Sequence, residues 1–388
     1  MSTPLEALER LFGDMKIKAW IEVLKIIHET SRNRGYTYFS EVLARRGFTG
    51  KKGSFQRILT RLEKAGFIRC IKEKSDTKII PTNLFRKFLE DPPLTHVPCG
   101  ASRATLKLFL AGHDTAIKVG YEYYRMTGEK LNWLVSAGSY WTGKKFALRR
   151  DLKILKRFVK EIFVDSGAQQ FYTKFKKSDY PYTPSQYIDF AVNLGAHHIA
   201  TLDYPLDILV ERGISVEEGI QKTVELAVDV VSEAENRSVL NRIVPVLQGY
   251  NEPDQWLECF DLYKEHGITL SRFNYWGLGS LCMTRSVRLV SNVVSAVKNA
   301  LGDEIKLHIF GVNLRALRTV FKHIHSYDTA AWVYWAKMDG AVLVWDPSWK
   351  RFIHLKTRRK HQYATINLMF MNLIHGILEM HRNLINNE

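Results

Sequence analysis

Two apolar runs in this 388-residue chain end on a carboxylate, and a third carboxylate follows much later. The first run is Ile162-Phe163-Val164-Asp165, continued by Ser166-Gly167-Ala168-Gln169-Gln170. The second is Ala200-Thr201-Leu202-Asp203. The third carboxylate is Asp328, in Ser326-Tyr327-Asp328-Thr329-Ala330-Ala331-Trp332. Carboxylates gathered in one pocket are suited to proton transfer and to nucleophilic attack. Residues 162–165 read as a buried parallel strand, with Gly167 as the turn leaving it. A polar residue at the C-terminal end of a strand faces the active rim of a (β/α) barrel. The plainer reading is a strand followed by a helix cap, with Asp165 accepting backbone N–H bonds. That stretch alone leaves both readings open.

Three further segments have the same form. Val244-Pro245-Val246-Leu247 runs into Gln248-Gly249, Tyr275-Trp276 into Gly277-Leu278-Gly279-Ser280, and His308-Ile309-Phe310 into Gly311-Val312. Singly, each is equally well a loop after a strand. In succession they are what a shared barrel rim predicts. Tyr172, Tyr250 and Trp276 are candidates to stack on a planar ligand. His197-His198 and the scattered histidines lack the spacing of metal ligands, which counts against a metal-dependent barrel hydrolase.

The elements that would position these residues alternate in type. Candidate strands are 106–111, 133–136, 162–165, 198–203, 243–248, 272–276, 306–310 and 340–345. Helical patterns intervene at about 183–193, 216–234, 253–265 and 284–300. About eight β-α units in ~250 residues indicate a closed parallel barrel. The expected architecture is therefore α/β: a (β/α)8 TIM-like barrel at 104–361, preceded by a small winged helix-turn-helix domain at 1–91 and a linker at 92–103. A C-terminal helix within 362–388 is expected to pack on the barrel.

The winged-helix expectation rests on element order. Ile17, Trp20, Ile21, Val23, Leu24 and Ile27 recur at helical spacing, and Ser40 can cap a second helix. A third helix at about 54–65 puts Phe55, Ile58, Leu59 and Leu62 on one face. Its other face carries Lys51, Lys52, Arg57, Arg61 and Lys64, and a hairpin turning at Lys74-Ser75-Asp76 follows as the wing. These six cations are the candidate nucleic-acid contacts, against the alternative of a winged helix used for protein contact. The net charge is +16, and residues 1–90 hold 19 Lys and Arg against 10 Asp and Glu. Such an excess favours a polyanionic partner. Further basic stretches are 144–160, 174–177 and 356–360. No apolar run reaches the ~18 residues of a membrane helix. The start of the chain has no secretory pattern, and Cys70, Cys99, Cys259 and Cys282 form no disulfide framework, so a cytoplasmic location is expected.

Across residues 104–346 the motifs resemble, in order, those of the tRNA-guanine transglycosylase superfamily. The likeness is closer to its DNA-modifying branch, the DpdA-type 7-deazapurine transglycosylases. The resemblance implies roles residue by residue. Asp165, Ser166 and Gln170 match the first base-pocket motif and Asp203 the second recognition carboxylate. Gln248 and Gly249 match the glutamine-glycine pair, Gly277 and Gly279 the glycine-rich wall, and Asp328 the nucleophile. It implies exchange of guanine in DNA for a preQ0-like 7-deazaguanine through a covalent aspartyl-deoxyribose, with Asp328 as nucleophile and Asp165 moving protons. The partners implied are duplex DNA with a flipped guanine, the free base, and accessory modification proteins. The Ser326–Thr329 segment looks more like the DNA branch than the tRNA branch. A tRNA substrate and a non-catalytic DNA-binding regulator on an inactive barrel are the alternatives. Two departures stand out. No cysteine follows Cys282, so the zinc site of the tRNA enzymes is absent and no cofactor is expected. The family's double glycine is Gly167-Ala168 here.

Overall fold

The computed structural model describes residues 23, 26–45, 56, 59–60, 62–63, 68–73, 75–82, 106–171, 179–346, 351–356, 368–370 and 372–386. The chain divides into two compact units. One comprises residues 1–100, 118–129 and 331–383, the other 101–117, 130–330 and 384–388.

In the first unit, strand β1 (Thr37–Tyr38) leads into the helix Phe39–Arg45, and β2 (Ile68–Lys72) and β3 (Thr77–Pro81) form a hairpin. The three strands make one antiparallel sheet in the order β1-β3-β2. Glu41 fixes the start of the helix: it takes the Tyr38 N–H at 3.0 Å and the Arg34 guanidinium at 2.8 Å. The ion pair with Arg34 and the backbone N–H hold its pKa down at about 2. Ser40, expected as the cap, lies inside the helix and donates instead to Asp76 of the hairpin. Val23, Ile27, Phe39, Val42, Leu59, Leu62, Ile68 and Ile79 are buried. Lys51, Lys52, Arg57, Arg61, Lys64 and Lys74 lie outside the described residues, as does the linker 92–103.

The second unit is a parallel barrel. Its strands are β4 (Lys107–Ala111), β5 (Leu131–Ser136), β6 (Val159–Asp165), β7 (His198–Ala200), β8 (Ile243–Val244), β9 (Val246–Leu247), β10 (Tyr275–Leu278), β11 (Lys306–Ile309) and β12 (Ser326–Thr329). They pair in the order β8-β7-β6-β5-β4-β12-β11-β10-β9. The two ends of that series are separated by Pro245 alone, so one interrupted strand closes an eight-strand, TIM-like ring. The physical cause is the missing proline N–H, which cannot join a ladder. Around the break, Thr201 Oγ1 takes the Val246 N–H at 3.0 Å and the Pro245 carbonyl accepts the Gly277 N–H at 2.8 Å.

The intervening helices start at side-chain caps. Thr183 and Gln186 form a capping box ahead of Pro184–Leu194, and Ser215 caps Val216–Asn236. Glu252 and Gln255 cap Pro253–Glu265, and Ser286 and Asn313 cap Val287–Leu301 and Leu314–Val320.

Three readings of the sequence need correction. The last barrel strand is Ser326–Thr329, which pairs with both β11 and β4, rather than 340–345. Ala341–Asp346 (β13) instead pairs antiparallel with Arg351–Lys356 (β14) in the first unit. The apolar run 341–345 imitates a buried strand, whereas β12 carries polar side chains inward and loses that signature. In addition, the strand expected at 272–276 is shifted to Tyr275–Leu278, because Arg272 turns out to Glu235 and to the Gly267 carbonyl at 2.8 Å. The final helix is not a single α-helix. Wide π-type turns over Asn372–Leu378 precede Glu379–Asn386, and the buried Asn372 side chain bonds Leu343 N, Trp332 O and Ala341 O.

The barrel interior is filled by Phe109, Ala111, Leu134, Phe163, Ala200, Val244, Val246 and Tyr275, with Phe310 packed against them. Phe163 has no solvent exposure and meets Phe109 edge-on at 5.5 Å. Phe163→Ala is expected to cost roughly 3–5 kcal/mol of stability, measured by urea unfolding, because the ring of strands cannot collapse onto the void.

Candidate active site

The two-residue period of a strand carries the interior face of the barrel from packing to chemistry. Phe163 is followed two residues on by Asp165, Val246 by Gln248, and Ser326 by Asp328. Parallel strands put all these ends on one rim. There a cavity of about 110 Å³ is lined by Asp165, Ser166, Asp203, Gln248, Gly279, Ser280, Phe310 and Asp328, among others.

Asp203 is the anchored member. It is 8% exposed, and its carboxylate accepts from Ser166 Oγ at 2.7 Å and from Gln248 Nε2. Gln248, fully buried, in turn accepts from Ser280 Oγ, which takes the Leu206 N–H at 2.8 Å. Tyr180 donates to the Asp203 carbonyl at 2.8 Å. Gly279 is required here, since a Cβ at that position would overlap the Gln248 amide. Ser280 takes a left-handed φ of 55°, an uncommon conformation for a residue with a side chain.

Asp165 stands beside this network. Burial raises its pKa to about 7, with the Asp203 and Asp328 charges adding to the rise and the Gly167 and Ser166 N–H groups opposing it. Burial likewise lifts Asp203 to about 6 against its hydrogen bonds from Ser166, Gln248 and Tyr180. Gly167 makes the turn at φ 79°, and a Cβ there would sit 2.8 Å from the Gly138 Cα. Tyr182 donates to the Ser166 carbonyl and closes the loop.

Asp328 is 6% exposed at the end of β12. Its Oδ1 accepts the Gly311 N–H at 2.8 Å and faces His308 Nε2 at 3.4 Å. Its Oδ2 has no hydrogen-bond partner among the described residues. A carboxylate with one oxygen pinned and the other facing a cavity has the form of a positioned nucleophile.

The structure thus brings Asp165, Ser166, Asp203, Gln248, Gly279 and Asp328 together. Others of the expected set serve from outside the cavity wall. Gln170 turns to Ser139 Oγ at 2.8 Å and Ser136 Oγ at 3.3 Å, and Gln169 lines the cavity in its place. Gly249 makes room for the Trp256 indole, and a Cβ on Gly277 would fall 2.6 Å from the Phe310 ring. Trp276 packs outward against Phe260 and donates to the Phe273 carbonyl, so it is not a stacking platform for the cavity. Tyr250 does not line the cavity either, Tyr172 lies outside the described residues, and Phe310 is the aromatic ring in the wall. His308, Ser280 and Asp207, the last of which lines the cavity and accepts from Cys282 Sγ at 3.1 Å, escaped the sequence reading as functional residues. For His308 a signal was present: a histidine three residues before the glycine of a strand-end motif.

The basic run 144–160 also divides. Lys144, Lys145, Arg149 and Arg150 are exposed on the segment that leaves β5 at the rim of the site, whereas Lys156 and Lys160 flank the start of β6, at the opposite end. Among the described residues, no group of three or more His, Cys, Asp or Glu side chains is arranged to hold a metal ion, and no helix is long and apolar enough to cross a membrane.

The family model described as "DpdA: DeoxyPurine in DNA protein A" matches residues 122–351, more than half of the chain. No curated protein matches the chain.

The raised carboxyl pKa values have a consequence for stability. The folded chain holds protons that an ordinary aspartate, at 3.8, would release, so the contribution of these two groups to stability declines as pH rises from about 4 through 7. Asp165→Asn removes one such group. It is expected to stabilise the fold at pH 8 by roughly 2–4 kcal/mol, a gain that shrinks steadily towards pH 4 in calorimetric melts.

Proposed function

The chain belongs to the DpdA family, and on that premise we propose that it exchanges guanine in DNA for a 7-deazaguanine of the preQ0 type. Asp328 Oδ2 attacks C1′ of the flipped deoxyguanosine as the bond to N9 breaks. The bonding pair leaves with the base, and protonated Asp165 supplies the proton that neutralises it. The sugar is then held as an ester on Asp328. The incoming base loses its N9 proton to Asp165 and attacks C1′, which restores the Asp328 carboxylate. A pKa near 7 suits a group that must give and then take a proton at neutral pH. The oxocarbenium character of both transition states is offset by the nearby anions, as in retaining glycoside hydrolysis.

The same cavity can read the base. Asp203 accepts from the amide and amino edge of guanine, and the second Gln248 N–H and backbone N–H groups meet its carbonyl. Gly279 keeps Gln248 in place, while Gly249 and Gly277 keep the wall close packed. The base must leave its stack to enter. We assign its backbone contacts to the basic segments on the rim side and to an N-terminal winged helix carrying Lys51, Lys52, Arg57, Arg61, Lys64 and Lys74. No cofactor is needed for this chemistry.

The observation that carries the reading is the convergence of Asp165, Asp203 and Asp328 on one cavity from three different strand ends. Labelled guanine and labelled preQ0 are to be incubated with duplex DNA and with tRNA, beside Asp328→Ala. Incorporation into DNA by the wild type, with a DNA adduct on denaturing gels that Asp328→Ala abolishes, is the expected result. Incorporation into tRNA alone would move the assignment to the tRNA branch. Duplex binding without exchange by the wild type would favour a non-catalytic regulator.

A further inference from the structure

His308 is fully buried on β11, one strand away from Asp328. Its ring is caged by Phe310 at 4.4 Å, Phe163 at 4.6 Å and Phe109 at 5.9 Å. Such a cage disfavours a charged imidazole, and burial lowers the His308 pKa against the pull of Asp328. Its Nδ1 lies 2.7 Å from Ser326 Oγ, and Ser326 Oγ meets the Tyr275 hydroxyl. Its Nε2 has no hydrogen-bond partner among the described residues and faces Asp328 Oδ1 at 3.4 Å.

We infer that Tyr275, Ser326 and His308 form a buried relay that orients Asp328 for attack through Oδ2. The inference rests on Asp328 being the nucleophile. The direction of the relay follows from counting protons. The Tyr275 hydroxyl has one hydrogen and Ser326 as its partner, so it donates to Ser326. Ser326 then spends its own hydrogen on His308 Nδ1. A neutral His308 accepting there must carry its proton on Nε2, which points it at Asp328. The opposite tautomer would set a nitrogen lone pair against a carboxylate and leave one hydroxyl hydrogen, of Ser326 or of Tyr275, with no acceptor.

The consequence is a division of labour between the two oxygens of Asp328. Oδ1 receives the Gly311 N–H and the His308 Nε2–H, and Oδ2 is left as the atom that attacks. When the ester forms, Oδ1 becomes its carbonyl oxygen and still accepts from both donors. The separation of 3.4 Å is long for a hydrogen bond, as is common in unliganded sites that tighten on binding. His308 touches no substrate atom in this arrangement, so it is a positioning residue.

The test has two arms. In the full-length protein with ¹⁵N-labelled histidine, NMR is expected to show His308 as the Nε2–H tautomer, displaced by Ser326→Ala or Tyr275→Phe. An Nδ1–H tautomer in the wild type overturns the relay, whatever the variants do. In the second arm, the rate of DNA-adduct formation is compared at saturating DNA. His308→Leu is expected to slow it about 10- to 100-fold with DNA affinity unchanged, the worth of a hydrogen bond to a charged group. His308→Gln, which can accept from Ser326 and donate to Asp328, is expected to recover most of the rate. A wild-type rate in His308→Leu overturns the inference. If adducts form equally well in Asp328→Ala, the fault lies with the nucleophile assignment, so the two failures are distinct.

Discussion

The molecule depends on keeping carboxyl groups buried side by side. Asp165, Asp203 and Asp328 come to one end of a barrel whose interior is otherwise closed by aromatic and branched side chains. Burying like charges together is unfavourable, and each group meets that cost differently. Asp203 is stabilised as an anion by hydrogen bonds from Ser166 and Gln248. Asp328 has the Gly311 N–H and the His308 imidazole at hand. Asp165 has the least support and holds its proton to about pH 7. The difference in support sets chemically identical side chains apart, which is the basis of the separate roles proposed for them.

The barrel supplies the precision this requires. Strand periodicity links Asp165, Gln248 and Asp328 to a packed residue two positions earlier, so these groups inherit the rigidity of the layer beneath them. Small residues let the walls close. Gly279 admits the Gln248 amide, Gly249 admits the Trp256 indole, and Gly167 turns the chain away from Asp165 without striking Gly138. Because these glycines act through packing, they belong to the site without touching the cavity in every case.

Much of this was legible in the sequence. The alternation of apolar runs with helical patterns pointed to the barrel, and strand-end carboxylates pointed to Asp165 and Asp203. The eighth strand was hidden because Ser326 and Asp328 point inward, so a segment that is chemically central looks polar. The run 341–345 looked like a strand and is one, but in a separate hairpin. Gln170 was expected in the pocket and Gln169 lines it instead, since the choice between cavity and Ser139 depends on how the chain turns after Gly167. The relay behind Asp328 was out of reach for a related reason. Tyr275, His308 and Ser326 sit on three strands, and only their register brings them together.

The claim that these carboxyls share one electrostatic environment can be measured directly. With ¹³C-labelled aspartate carboxyls, an NMR titration is expected to show Asp165 ionising near pH 7, and at lower pH after either Asp203→Asn or Asp328→Asn. A titration of Asp165 near the ordinary aspartate value of 3.8, unmoved by either substitution, would contradict the account.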